Sequence, residues 1–323
     1  MSQSVVNTAA DLAGLQHLPQ VRPQRRGQWI GASAVAVVGL LLFYTIAVNE
    51  NMRWDIVGQN LFTQGVLVGV VWTLVIAILS MIIAIVLGVV IALMRMSGNQ
   101  LMQGAAKAYL WFFRGTPLLV QLIFWFNLAL LFPELGLAML FGPDAPGGID
   151  TNQAINWFVA ALLGFGLHEA AYMSEIIRSG FLSVDRGQRE ASDALGMTPG
   201  KTFRRILIPQ AMRIVVPPTV NQFVNLLKAT SLVAFIAGQD LLSAVQTIYA
   251  RNFQVIPLLV VASIWYLVLV TVISVLQGYL ERWLDRGYGH MSARKRYKGK
   301  AAKPILDALV ESDDQTEVKG NAY

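Results

Sequence analysis

The sequence predicts an all-α integral membrane protein with six transmembrane helices, and three observations carry that prediction. Of 323 residues, 55% are hydrophobic and only 14% charged, with a mean hydropathy of +0.54; about a quarter of a soluble chain is charged. Six apolar runs, at 28–48, 63–94, 108–133, 154–178, 214–238 and 256–281, are each long enough to cross a hydrocarbon layer ~30 Å thick. When alternate loops are compared, 21 of the 25 Lys and Arg lie on one side, leaving Arg53 and Arg251 opposite and Arg114 and Lys228 inside apolar runs. That bias assigns both termini to the cytoplasm.

The first run follows a polar tail carrying Arg22, Arg25 and Arg26. It is too long for the apolar region of a signal peptide, so it reads as an uncleaved span. Run 63–94 exceeds one crossing and is expected to tilt or project. Run 108–133 contains Gly115 and Pro117, which can loosen a helix and free backbone groups. Residues 134–153, with Pro143, Pro146, Gly147 and Gly148, read as a turn-rich outer loop. The tails 1–27 and 291–323 are polar and are expected to be flexible. The basic run Arg294–Lys303 fits an anchor on anionic lipid better than a nucleic-acid site. Without Cys, and with three His, the chain offers no thiol chemistry and no multi-His metal centre.

The loop between the fourth and fifth runs, 183–213, is the most informative segment. Gln188–Leu195 is made largely of helix formers, Gly196 suits the left-handed end of a helix, and Thr198-Pro199 suits a new helix start. Two short helices with a sharp bend are expected. On the second, Phe203, Ile206 and Leu207 share an apolar face until Pro209 ends the run. By these features alone, the loop could equally lie along a membrane surface as a basic amphipathic stretch.

Glu190-Ala191-Ser192, then Gly196, then Ile206 and Ile208-Pro209, resembles the "EAA, three residues, G, nine residues, I-x-L-P" signature of permease subunits of bacterial ABC importers. Ser192 and Ile208 are mild departures. QGVLVGVVWTL at 64–74, FRGTPLLVQL at 113–122 and HEAAYMSEIIRSGFLSVDRGQREA at 168–191 resemble the polar amino acid uptake branch. The resemblance implies a type I permease domain over 58–290, a five-helix core, with 28–48 as an added N-terminal span. It also implies that Glu190, Ala191, Gly196, Ile206 and Pro209 couple the chain to ABC ATPase subunits. An extracytoplasmic amino acid-binding protein and a second permease copy, or a related permease, are the other implied partners. Gly196–Thr202 looks like a phosphate-binding loop but has three residues between its glycines where four are needed, and no strand precedes it. ATP is therefore expected on the partner, and the chain itself is expected to be no enzyme and to need no cofactor.

Ionisable side chains at membrane depth are costly, about 2.5–3.5 kcal/mol on insertion scales, so each should be paired or line a polar pathway. Glu169, Tyr172 and Glu175 fall at i, i+3 and i+6, Arg114, Thr116 and Gln121 gather on the third run, and Asn221, Asn225 and Lys228 form a stripe on the fifth. A free amino acid carries an ammonium and a carboxylate. Glu169 against the former and Arg114 or Lys228 against the latter would be complementary. The expected substrate pathway is Arg114, Gln121, Glu169, Tyr172, Asn225 and Lys228. The expected function is a multi-pass permease of an ATP-driven amino acid importer in a bacterial cytoplasmic membrane. A proton-coupled secondary transporter or channel is the alternative class, and it leaves the bent loop unexplained.

Overall fold

The computed structural model describes residues 26–136 and 148–285. The two expected tails lie outside the described residues apart from Arg26 and Gly27, which open the first helix. The chain divides into two units, 1–58 and 59–323.

In the first unit α1 (Arg26–Ala47) is apolar on every side and no described side chain on it is buried, as expected of a helix surrounded by lipid. The Trp54 indole donates to Ala47 O at 2.8 Å, and Arg53 pairs with Asp55 at 3.1 Å. α2 (Trp54–Asn60) follows.

The second unit runs through α3 (Gln64–Met96), α4 (Gln100–Gly115), α5 (Leu118–Phe126), a two-residue pair of strands, α6 (Thr151–Ala154), α7 (Trp157–Leu182), α8 (Arg186–Ala194), α9 (Pro199–Thr202), α10 (Ile208–Ala229), α11 (Leu241–Asn252) and α12 (Val255–Asp285). In the strand pair, β1 (Glu134–Leu135) meets β2 (Ile149–Asp150) antiparallel, Glu134 opposite Asp150. Among the described residues two helices, α3 and α12, are long and apolar enough to cross a membrane by themselves, and up to four crossings result if two bent helix pairs each count as one.

At 33 residues α3 is about 50 Å long, and it packs mainly on α7. Lipid tails are as apolar as the side chains, so helices in a membrane associate by close contact rather than by the hydrophobic effect. The buried face of α3 accordingly alternates bulk with small residues: Ile76, Ala77, Met81, Ala84, Gly88 and Ala92. A Cβ on Gly88 would lie 2.8 Å from Met173 Cβ and 3.1 Å from Ser174 N. The helices touch there through backbone. Phe165, Met173, Leu122, Leu226 and Val233 complete the core between α7, α5, α10 and the 3-10 turn Thr230–Ile236.

Run 108–133 departs from the expected single span. α4 begins earlier, at Gln100, where the Asn99 side chain accepts from Leu101 N at 2.9 Å, and it stops at Gly115. The ring of Pro117 disfavours helical geometry in the residue before it. Thr116 is accordingly extended, φ −108° and ψ 142°.

The bend of loop 183–213 forms as expected, with a full set of C-terminal bonds. Gly196 takes φ +69°, its amide donates to Asp193 O at 3.0 Å, and Met197 N donates to Ser192 O at 3.1 Å. This is the paired-bond motif in which a left-handed residue closes a helix. Thr198 is extended and Pro199 opens α9. Pro209 does not end the run, which corrects the sequence expectation. Phe203–Leu207 forms a π turn, with Ile208 N bonded to Phe203 O five residues back, and α10 continues through Pro209, Pro217 and Pro218. At Pro209 the wider turn meets the difficulty that proline otherwise creates, a missing donor and a clash with the preceding turn.

Candidate functional site

The break between α4 and α5 places a buried glutamine beneath it. Gln121 is 5% exposed, and its Nε2 lies 3.1 Å from Phe113 O, 3.2 Å from Thr116 O and 2.7 Å from Thr116 Oγ1. It also lies 3.2 Å from His168 Nδ1 on α7. One amide group thus collects the carbonyls that Pro117 frees. Its Oε1 is buried with no hydrogen-bond partner among the described residues.

Along α7, His168, Glu169, Tyr172 and Glu175 project on neighbouring turns. Glu169 is 4% exposed, and its Oε2 accepts from Gln222 Nε2 of α10 at 2.6 Å. Its partner is therefore an amide rather than Arg114 or Lys228. The Arg114 guanidinium lies 5.2 Å from the centre of the Tyr172 ring, within cation–π range, and the Tyr172 and His168 rings are 5.3 Å apart. Arg114 has no carboxylate within ion-pair distance among the described residues. Glu175 pairs across helices with Arg95 of α3 and, at 3.0 Å, with Arg178.

The polar stripe of α10 stays open. Asn221, Asn225 and Lys228 are exposed, while Gln222 is half-buried behind them. Gln277 of α12 reaches Asn221 Oδ1 at 3.4 Å. The expected pathway residues therefore fall into a buried Glu169–Gln222 contact, an Arg114–Tyr172 contact beside Gln121, and an exposed stripe holding Asn225 and Lys228.

Sequence reasoning gave no role to Asp240. Its carboxylate is fully buried and caps α11. Oδ2 accepts from Leu242 N at 2.9 Å and from the Tyr266 hydroxyl of α12 at 3.3 Å. Oδ1 accepts from Ser243 N at 3.0 Å and from the Ser243 hydroxyl. Leu241 N donates to Thr73 Oγ1 of α3 at 3.1 Å. The carboxylate ties α11 to α12, and the neighbouring Leu241 amide ties α11 to α3. The signal available in sequence was an aspartate placed where an N-cap belongs, before Leu241-Leu242-Ser243.

At the other end of the bundle, Glu190, Ala191 and Gly196 are exposed, as is Pro209, while Ile206 is half-buried. Leu195, between Glu190 and the bend, is 81% exposed. Phe203 stacks on Phe181 of α7, ring centres 5.4 Å apart and planes 12° from parallel, fastening the second half of the loop to the helix before it.

Residues 84–286 match the family described as binding-protein-dependent transport system inner membrane component. The chain belongs to this family. The family segment takes in the bent loop, the Glu169–Gln222 contact and the Asp240 node. Among similar proteins, the arginine transport system permease protein ArgU of Corynebacterium glutamicum is 42% identical over 273 residues, 83% of this chain and 84% of that protein. The L-cystine transport system permease protein TcyB of Bacillus subtilis is 37% identical over 242 residues, 75% and 95% of the two chains. A solved structure of an amino acid ABC transporter with histidines superposes with TM-score 0.57 at 31% identity, covering 68% of this chain and 94% of that one. A MetNI methionine ABC transporter in an inward-facing conformation, at 18% identity and TM-score 0.52, shares the fold.

Proposed function

We propose that this family member is the permease subunit of an ATP-driven importer for polar or charged amino acids. The observation that carries the reading is the exposed bend between α8 and α9, which holds Glu190 and an unburied Leu195 on a turn fixed by Gly196. A turn closed by paired C-terminal bonds, with Glu190 and Ala191 open beside it, offers a shaped projection for another protein to receive. ABC ATPase subunits would receive it. Movement there would pass through the unbroken π-containing helix into α10, which carries Gln222, Asn225 and Lys228, and switch the bundle between two states. An extracytoplasmic binding protein would deliver the substrate, and a second permease, identical or related, would close the pathway. In this reading the chain crosses the membrane six times with both ends in the cytoplasm.

The amino acid would meet Glu169 with its ammonium and Arg114 or Lys228 with its carboxylate. Tyr172, Gln121 and Asn225 would complete the polar lining. The support is the chemistry of the groups: a buried acid held by an uncharged amide, and cations with no carboxylate within ion-pair distance among the described residues.

The test is uptake of labelled arginine, cystine and glutamine into proteoliposomes holding the permease, its ATPase and its binding protein. ATP-dependent uptake that stops when the ATPase is omitted is the expected result. Uptake driven by a proton gradient without ATPase would establish a secondary transporter instead. Because the chain has no cysteine, single Cys variants at Asn51 and Ser183 test the orientation. They are expected to label from opposite faces, Asn51 from outside.

A further inference from the structure

Where the ends of α3, α4 and α7 meet, a cleft of about 480 Å³ is lined by Arg95, Lys107, Leu110, Trp111, Arg114 and Glu175, with Gly115 and Tyr172 behind. The proposed function uses two of these residues and leaves the cleft itself unexplained. It holds three cations to one carboxylate, and that carboxylate is already bonded to both Arg95 and Arg178. Lys107 has no ion-pair partner among the described residues, nor has Arg114. On α4, Lys107, Trp111 and Arg114 fall at i, i+4 and i+7, one outward stripe, and Trp111 is 79% exposed.

We infer that this cleft binds a phosphate group, supplied by the headgroup of an anionic phospholipid in the leaflet at the basic end of the bundle. A zwitterionic amino acid fits poorly, since the only carboxylate is taken and nothing remains for an ammonium. Lys107 and Arg114 start about 10 Å apart along α4, and their long side chains line one cleft where they can converge on a single phosphate, which leaves Lys228 for the substrate carboxylate of the proposed function. The volume leaves room for the rest of a headgroup. Trp111 supplies what a free ion would not need: an exposed indole between the two cations, a side chain enriched where headgroup meets acyl chain. Lys107 and Arg114 are both exposed, so their charges are open to an anionic headgroup.

Lys107 is the residue to vary, because it is exposed, belongs to no proposed substrate contact, and can change without disturbing the core. The full-length chain would be purified and its lipid adducts counted by native mass spectrometry with phosphatidylglycerol and with phosphatidylcholine. Phosphatidylglycerol is expected to be preferred, with the preference falling about fivefold in Lys107→Gln and persisting in Lys107→Arg and in Arg251→Gln, a basic site elsewhere. An unchanged preference in Lys107→Gln, or an equal fall in Arg251→Gln, would overturn the site. Displacement of the lipid by millimolar inorganic phosphate would overturn the lipid as its source.

Discussion

Gln222 of α10 donates a 2.6 Å hydrogen bond to the carboxylate of Glu169 on α7, 53 residues away. Among the described residues the hydrogen-bond partner that buried acid has across the bundle is neutral, so its charge is left for something else. Glu169→Gln keeps the size and an acceptor for Gln222, and removes only the charge that strengthens a bond to an ammonium, a difference of about 1.5–3 kcal/mol. Uptake is expected to fall about 10- to 100-fold while the melting temperature in detergent stays within a degree or two of wild type. A matching loss of stability would instead make the pair purely structural.

Gly196 has φ +69° and nothing within 4 Å of where a Cβ would stand, so a side chain there meets strain rather than collision. A β-branched residue is disfavoured in that region by at least about 1–2 kcal/mol. Gly196→Val is expected to unseat the bend and lose uptake and ATPase co-purification, while membrane insertion is unaffected. Glu190→Lys is expected to give the same phenotype by reversing an exposed charge. Normal co-purification of the ATPase with both variants would reduce the loop to a surface helix.

Close approach of α3 and α7 makes Gly88 intolerant of bulk. Gly88→Val places a branched side chain against Met173 and Ser174, and overpacking of this kind costs about 1–3 kcal/mol. Gly104→Ala on α4, where no atom lies within 4 Å, is the contrasting substitution and is expected to leave stability unchanged or slightly raised. Thermal unfolding of the two purified proteins checks the contrast.

Asp240→Ala removes the acceptor for two backbone amides and two hydroxyls at a fully buried point. The lost cap costs about 0.5–2 kcal/mol and the stranded donors about 1–3 kcal/mol. Asp240→Asn, which keeps one oxygen, is expected to lie between alanine and wild type. A melting series in that order, with uptake following stability, would identify the carboxylate as the tie between α11 and α12.

Sequence patterning reported faithfully what depends on neighbours along the chain. Run 63–94 became α3 and run 256–281 became α12, because length and apolarity decide them. The bend at Gly196 was also legible, because a glycine followed by Thr198-Pro199 carries its own local geometry. In run 108–133 the loosening at Gly115 and Pro117 was legible, but not that the helix stops there, because hydropathy does not weigh the restriction Pro117 places on Thr116. Pro209 was read as a stop because the rule against proline assumes an α turn, and a π turn relaxes it. The partner of Glu169 and the role of Asp240 stayed hidden for another reason: each depends on which helix face meets which, information that periodicity on a single helix does not contain.

An α-helix advances about 100° per residue, and the π turn at Phe203–Leu207 admits one residue more than an α turn would. Everything beyond Ile208 is therefore rotated by about 100° relative to a plain helix starting at Pro199. The azimuth of Asn221, Asn225 and Lys228 is set by a count of residues rather than by the chemistry of any of them. Deleting one residue from the π segment would let it close as an ordinary α turn with loop and stripe still in phase, whereas forcing an α turn on the full count of residues would turn them out of phase by about 100°.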